Sequence, residues 1–173
     1  PRKITSDISA YSDPTITADS SSFVINRSEG SGNIWVTTLE HPDVVVPVTT
    51  GLGNRFGGGG VRWLPDGRIL FVGFQPGEPS SLFEVSPGGG MPEQLTRGRE
   101  YWSPLLSPDG SKLVFLSGKN GPPELWVSAP DGSGPRQVTH MGGIDSPSWL
   151  PDGRSVVAVS MGATQMAWKV PID

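Results

Sequence analysis

The chain has 173 residues, enough for one domain with a substantial core or for part of a larger fold. It holds no cysteine, which excludes disulfides, thiolate metal sites and cysteine nucleophiles. A net charge of −4 with scattered Lys and Arg argues against binding nucleic acid by neutralising phosphates, and no apolar run approaches ~18 residues, so no membrane insertion is expected. The first residue is Pro1, not an initiator Met, so the lack of a secretory signal carries no weight.

In chain order, "RKITSD" (2–7) reads as a short strand, and "ADSSSFVIN" (18–26) as a turn entering a strand of alternating apolar residues. Trp35 stands in the next short strand, His41 in the turn "EHPD", and Val48-Thr49 closes the unit. "GLGNRFGGGG" (51–60) lacks the G-K-[ST] ending and the following helix of a phosphate loop, so it reads as a flexible connection. "LPDGRILFVGF" (64–74), "LSPDGSKLVFLSG" (106–118) and "LPDGRSVVAVS" (150–160) then repeat one hairpin three times.

Three markers keep phase. The turn aspartates Asp19, Asp66, Asp109 and Asp152 are spaced by 47, 43 and 43 residues. Third-strand aromatics Trp35, Phe83, Trp126 and Trp168 follow them by 16, 17, 17 and 16 residues. An apolar-Thr pair recurs as Ile4-Thr5, Val48-Thr49, Leu95-Thr96 and Val138-Thr139. A period near 43 is that of a repeat architecture with propeller blades among the choices. Each unit offers four short strands and no helical periodicity; in the third they lie around 104–106, 112–117, 124–129 and 135–139. A thin sheet cannot bury both faces alone, and radial stacking solves this. The predicted fold is therefore all-β, a β-propeller of four-stranded antiparallel blades: residues 1–7 an outer strand, 8–50, 51–97 and 98–140 three full blades, and 141–173 a blade lacking its outer strand. The strand at 2–7 either completes the last blade in a closed four-blade ring, or the chain is an arc of a larger ring. Sheet twist favours the arc, whose open faces would promote self-association.

The turn chemistry is structural. In Pro-Asp-Gly the proline presets the first corner, the aspartate takes the second and accepts turn hydrogen bonds, and Gly67, Gly110 or Gly153 accepts a positive φ. Ala18-Asp19-Ser20 replaces this motif in the first unit. A serine in the left-handed region costs on the order of 1 kcal/mol, so that hairpin should be the softest. Trp63 and Trp149, with Ile16 and Leu106 at matching sites, read as packing between sheets.

"SPSWLPDGRSVVAVS", "YWSPLLSPDGSKLVFLSGKNGPPELWVSAPDGSGPRQVT" and "VRWLPDGRILFVGF" with "SLFEVSPGGGMPEQLT" resemble TolB-type, WD40-like propeller repeats, clearly over residues 55–173 and more faintly over 1–54. The opening "RKITSDISAYSDPTITADSSSFV" with "NIWV" is most similar to propellers beside bacterial receptor-like Ser/Thr kinases. This resemblance implies an extracytoplasmic or periplasmic scaffold or sensor. It also allows the gating propeller of a prolyl-oligopeptidase-like serine hydrolase.

Little chemistry is written in the chain. There are two histidines, His41 and His140, expected at opposite ends of their blades, and no G-x-S-x-G elbow. "SPDGS" departs from the sialidase aspartate box, and the EF-hand pattern is absent. No cofactor, metal or catalytic residue is expected. Antiparallel order gathers the links between blades and each second-to-third-strand loop on one edge. That edge takes Tyr11, Asp13, Arg55 and Phe56 from the first half, and Arg97, Arg99 and Glu100 from one link. Tyr101, Trp102, His140 and Asp145 complete it. Aromatics mixed with arginine are enriched at protein interfaces, with Arg55, Arg97 and Arg99 the foremost contacts; Tyr101 and Trp102 also suit a role covering blade edges. The expected function is a non-enzymatic module that binds a protein or peptide. The gating propeller is the alternative, and a self-contained sialidase- or lyase-like enzyme a distant third.

Overall fold

The structure is a computed structural model that describes residues 10–28, 32–50, 55–75, 77–97, 100–118 and 121–172. Among the described residues fifteen strands form four successive antiparallel sheets. The first contains β1 (Ala10–Ile16), β2 (Ser22–Ser28), β3 (Gly32–Thr38) and β4 (Val46–Pro47). The second contains β5 (Arg55–Trp63), β6 (Ile69–Phe74), β7 (Ser81–Val85) and β8 (Glu93–Gln94). The third contains β9 (Trp102–Leu106), β10 (Leu113–Ser117), β11 (Glu124–Ser128) and β12 (Arg136–Gln137). The fourth contains β13 (Ile144–Trp149), β14 (Ser155–Ser160) and β15 (Ala167–Pro171). Within each sheet the strands pair in chain order, and one parallel bridge, Gly32 to Arg55, joins the first two sheets. The expected strand at 2–7 lies outside the described residues.

The inner strands stack on one another around the arc, β1 on β5, β5 on β9 and β9 on β13. Strand alternation then gives each sheet one apolar face toward each neighbour. Val24 and Ile34 meet Ile69, Phe71 and Phe83; Leu70, Val72 and Leu82 meet Leu113 and Phe115; Val114, Leu116 and Leu125 meet Val156 and Ala158. Phe71 and Phe115 are fully buried, each burial contributing about 1.5–3 kcal/mol. Among the described residues nothing in β1–β4 touches β13–β15, so the sheets form an open arc.

The Pro-Asp-Gly hairpins close as the turn chemistry requires. Gly67, Gly110 and Gly153 donate their amides to the carbonyls of Leu64, Ser107 and Leu150 at 3.0, 2.8 and 3.0 Å. Their φ angles are +83°, +71° and +64°. Ser20 closes the first hairpin the same way, through Thr17, at φ +58°. The apolar-Thr marker also has a cause. Thr49, Thr96 and Thr139 accept the amides of Ile34, Leu82 and Leu125 through Oγ1 at 2.8, 2.9 and 2.9 Å. The short fourth strand leaves those amides without a strand partner, and the threonine hydroxyl supplies one.

One reading is corrected. Residues 55–60 are not a flexible connection but part of β5, where Gly57 at φ +81° and Gly60 at φ +126° form a bulge between Phe56 and Val61. Added Cβ atoms would strike Val61 at Gly57, Val72 at Gly59 and Pro104 at Gly60, each at 2.9 Å. Glycine is needed there for the close approach of β6 within the sheet and of β9 from the next one.

Candidate binding edge

The links between sheets and the second-to-third-strand loops meet on one edge, as Ser80 makes plain. Its hydroxyl accepts the Tyr101 amide at 2.8 Å and donates to the Tyr101 carbonyl at 3.0 Å, tying the β6–β7 loop to the β8–β9 link. One sheet further on, the Ile144 amide reaches the Pro123 carbonyl at 2.7 Å. Glu124 fastens the same link. Its carboxylate accepts the Thr139 hydroxyl at 2.5 Å and the Gly142 and Gly143 amides at 2.8 and 3.3 Å.

Two small polar clefts open on this edge at equivalent places. Gln75, Glu78, Pro79, Ser81, Gln94 and Arg97 line one of about 150 Å³. Ser117, Gly121, Pro122, Glu124, Trp126 and Gln137 line most of the other, of about 210 Å³. Gln94 and Gln137 each stand two residues before the marker threonine, a recurrence that could have singled them out. Their amides donate to the Thr96 and Thr139 carbonyls at 3.0 and 2.7 Å, and Gln137 also contacts His140 Nδ1 at 3.0 Å.

The expected surface residues divide. Arg97, His140 and Asp145 are exposed and Trp102 is half-buried. Tyr101 is corrected as a binding residue and takes the other role expected of it: it is only 3% exposed, its ring against Phe115 at 5.0 Å, so it belongs to the core and covers a blade edge. Phe56 is likewise buried, in a cluster with Phe71 and Phe83. Arg99 and the side chain of Arg55 lie outside the described residues, as do the side chains of Tyr11 and Asp13. His41 occupies the β3–β4 turn and His140 the β12–β13 link, at opposite strand ends. Beside the exposed residues, Ser103 and Ser146 hold positive φ angles of +48° and +50° in bulges of β9 and β13. Asp145 accepts the Ser146 amide at 2.6 Å. Among the described residues no group of three His, Asp or Glu side chains is placed to hold a metal ion.

The opposite edge is scaffold. Asp19, Asp66, Asp109 and Asp152 each accept the amide two residues ahead, at 2.9–3.0 Å. The Ser107 hydroxyl foremost, then Ser111, holds Asp109 down to about 2, and Thr17 followed by Ser21 does the same for Asp19. Burial pushes Asp66 up, but the amide and guanidinium of Arg68 outweigh it and leave the carboxyl lowered. Arg68 also pairs with buried Glu84, fixing β6 to β7. Pro130-Asp131-Gly132 forms a further turn of this kind, with Gly132 at φ +80°, which the sequence reading passed over.

No protein-family model and no curated protein matches the chain. Solved structures do. A TolB from Agrobacterium tumefaciens is 26% identical with a TM-score of 0.72, covering 87% of this chain and 54% of its own. An oligogalacturonate lyase in complex with manganese is 17% identical with a TM-score of 0.73, covering 95% and 49%. A puromycin hydrolase is 14% identical with a TM-score of 0.79, covering 98% and 28%. The chain thus spans about half or less of the proteins it is similar to. The kinase-associated likeness of the opening residues rests on sequence alone.

Proposed function

We propose that this chain, a TolB-like β-propeller in fold, is a non-enzymatic binding module that presents its link edge to a protein or peptide. The observation behind this reading is that Arg97 and His140 in successive links and Trp102 and Asp145 at the starts of β9 and β13 fall on one edge, with Arg97, His140 and Asp145 exposed and Trp102 half-buried. An aromatic in company with arginine, histidine and an acid is the composition of a protein-recognition surface. The opposite edge offers turns whose carboxylates are already engaged by their own loops. An extracytoplasmic setting accompanies this reading through the likeness to TolB.

Selection of a displayed random-peptide library on the immobilised chain tests it. Enriched peptides should lose at least ~10-fold in affinity on Arg97→Glu with Arg99→Glu, or on Trp102→Ala. Asp66→Asn on the opposite edge should leave them unchanged. Absence of enrichment, or equal losses at both edges, would overturn the assignment. The likeness to a puromycin hydrolase over 98% of this chain supports a second reading, a gating propeller for a serine hydrolase. A G-x-S-x-G domain in the same polypeptide would favour it. Turnover of esters or glycosides by the chain alone, abolished by Asp145→Asn, would overturn the non-enzymatic reading.

A further inference from the structure

The larger cleft of the link edge differs from its counterpart in charge. Glu124 opens β11 beside it, and register places Asn33, Ser81 and Met166 at the same point of the other sheets, each two residues before the third-strand aromatic. The third sheet alone carries a charge there. Fastening a link does not require one. In the first sheet neutral Asn33 meets the marker threonine, its Oδ1 3.5 Å from the Thr49 hydroxyl, and in the second the Ser80 hydroxyl holds the link. In the smaller cleft Ser81 stands in place of Glu124 and Arg97 in place of His140, so that cleft has a fixed cation of its own.

Glu124 is half-buried, and its bonds bring hydrogens but no positive charge. One carboxylate oxygen takes the amides of Gly142 and Gly143 and the other takes the Thr139 hydroxyl, so the second oxygen keeps a lone pair. Among the described residues Arg68 supplies the ion pairs, with Asp66 and Glu84, and none involves Glu124. A carboxylate partly withdrawn from water gains most from a cation that brings its own donors.

The rest of the cleft suits such a cation. Gln137 uses both amide hydrogens, on the Thr139 carbonyl and on His140 Nδ1, which leaves its carbonyl oxygen to accept. Trp126 donates its indole N–H to the Ser117 carbonyl at 3.2 Å and forms a wall. At the rim, an added Cβ on Gly143 would lie 3.1 Å from Pro122 and 3.2 Å from Met161, so these two side chains flank it. Pro122 also lines the cleft, and Met161 is 48% exposed. Together they offer an apolar surface to the aliphatic stem of a long basic side chain. The cleft volume is about 210 Å³. That is below the roughly 300–1,000 Å³ of sites that enclose a whole small ligand, so its size suits one side chain.

We propose that this cleft receives a single lysine or arginine side chain of the protein or peptide that docks on the link edge. The inference rests on reading that edge as a binding surface and adds the chemistry of its occupant. The basic head bonds to Glu124 and Gln137 while the stem crosses Pro122 and Met161. A net charge of −4 on the chain favours the approach of a basic segment.

Peptides enriched from a displayed random library on the immobilised chain test this. They should share a lysine or arginine at one position. Replacing that arginine by citrulline, or that lysine by acetyl-lysine, keeps the length, removes the charge and should weaken binding at least ~10-fold in fluorescence anisotropy titrations. Glu124→Gln should weaken the parent peptide by a similar factor and abolish its advantage over the neutral peptide. Glu78→Gln, which removes the same charge from the smaller cleft, should leave that advantage intact. The peptide-side replacement uses the unaltered chain, so it tests the proposal even if Glu124→Gln does not fold. Enriched peptides without a shared basic residue, a neutral replacement that binds as well as its parent, or an advantage that survives Glu124→Gln overturns the proposal. Losses at Arg97 and Trp102 would still stand for the edge in those cases. Equal effects of Glu78→Gln and Glu124→Gln would assign the preference to overall charge and overturn it as well. Absence of any enrichment overturns both readings.

Discussion

Gly110 and Gly67 occupy the same turn position but have different surroundings. An added Cβ at Gly110 would lie 2.6 Å from the Pro65 side chain, whereas nothing lies within 4 Å at Gly67. Gly67→Ala should cost only the left-handed strain, about 1–2 kcal/mol. Gly110→Ala should cost more, because two neighbouring hairpins must separate; equal losses in thermal or urea unfolding would show that the turns do not touch. Ser20, at φ +58° without glycine's freedom, gives the converse: Ser20→Gly should gain up to about 1 kcal/mol. The carboxylates of the same turns give a pH dependence. Asp109 and Asp19 are held at about 2 in the fold, below the ordinary value near 4. Their contribution is complete above about pH 4 and is lost as pH falls toward 2. Asp109→Asn should therefore flatten part of the acid-induced fall in melting temperature over that window; an unchanged profile would contradict the bonding of the turn.

At the scale of elements, the short outer strands are the weak component, held by two backbone pairs and one threonine each. Thr96→Val keeps the shape but leaves the Leu82 amide buried without an acceptor, at a cost of about 1–3 kcal/mol. Thr96→Ser should retain most of the stability, and identical losses for both variants would assign the effect to packing. Strand positions were legible because Pro-Asp-Gly, the aromatic and the threonine recur in one phase. The glycine bulge of β5 was not, since four consecutive glycines read locally as a connection. Only the approach of Val72 and Pro104 from adjacent strands shows why no side chain fits there. Which of the two roles expected of Tyr101 holds was not legible for a related reason: a link residue next to charged neighbours suits either, until Ser80 is seen to bond its backbone on both sides.

At the scale of the molecule, the sheets have unequal surroundings. Among the described residues the second and third have a sheet against both faces, the first and fourth against one. Amide exchange should therefore be slowest in β6, β10 and β11 and fastest in β2 and β15, with equal protection across all four sheets arguing against an open arc. Repeat number, sheet order and turn chemistry followed from the sequence alone, because periodicity and local backbone preference act over a few residues. Which side chains share an edge and which link aromatics turn inward were decided only by the tertiary structure. Those outcomes depend on contacts between residues some 40 positions apart, such as Trp149 with the Leu105 carbonyl, and local sequence cannot encode the side from which a neighbour arrives.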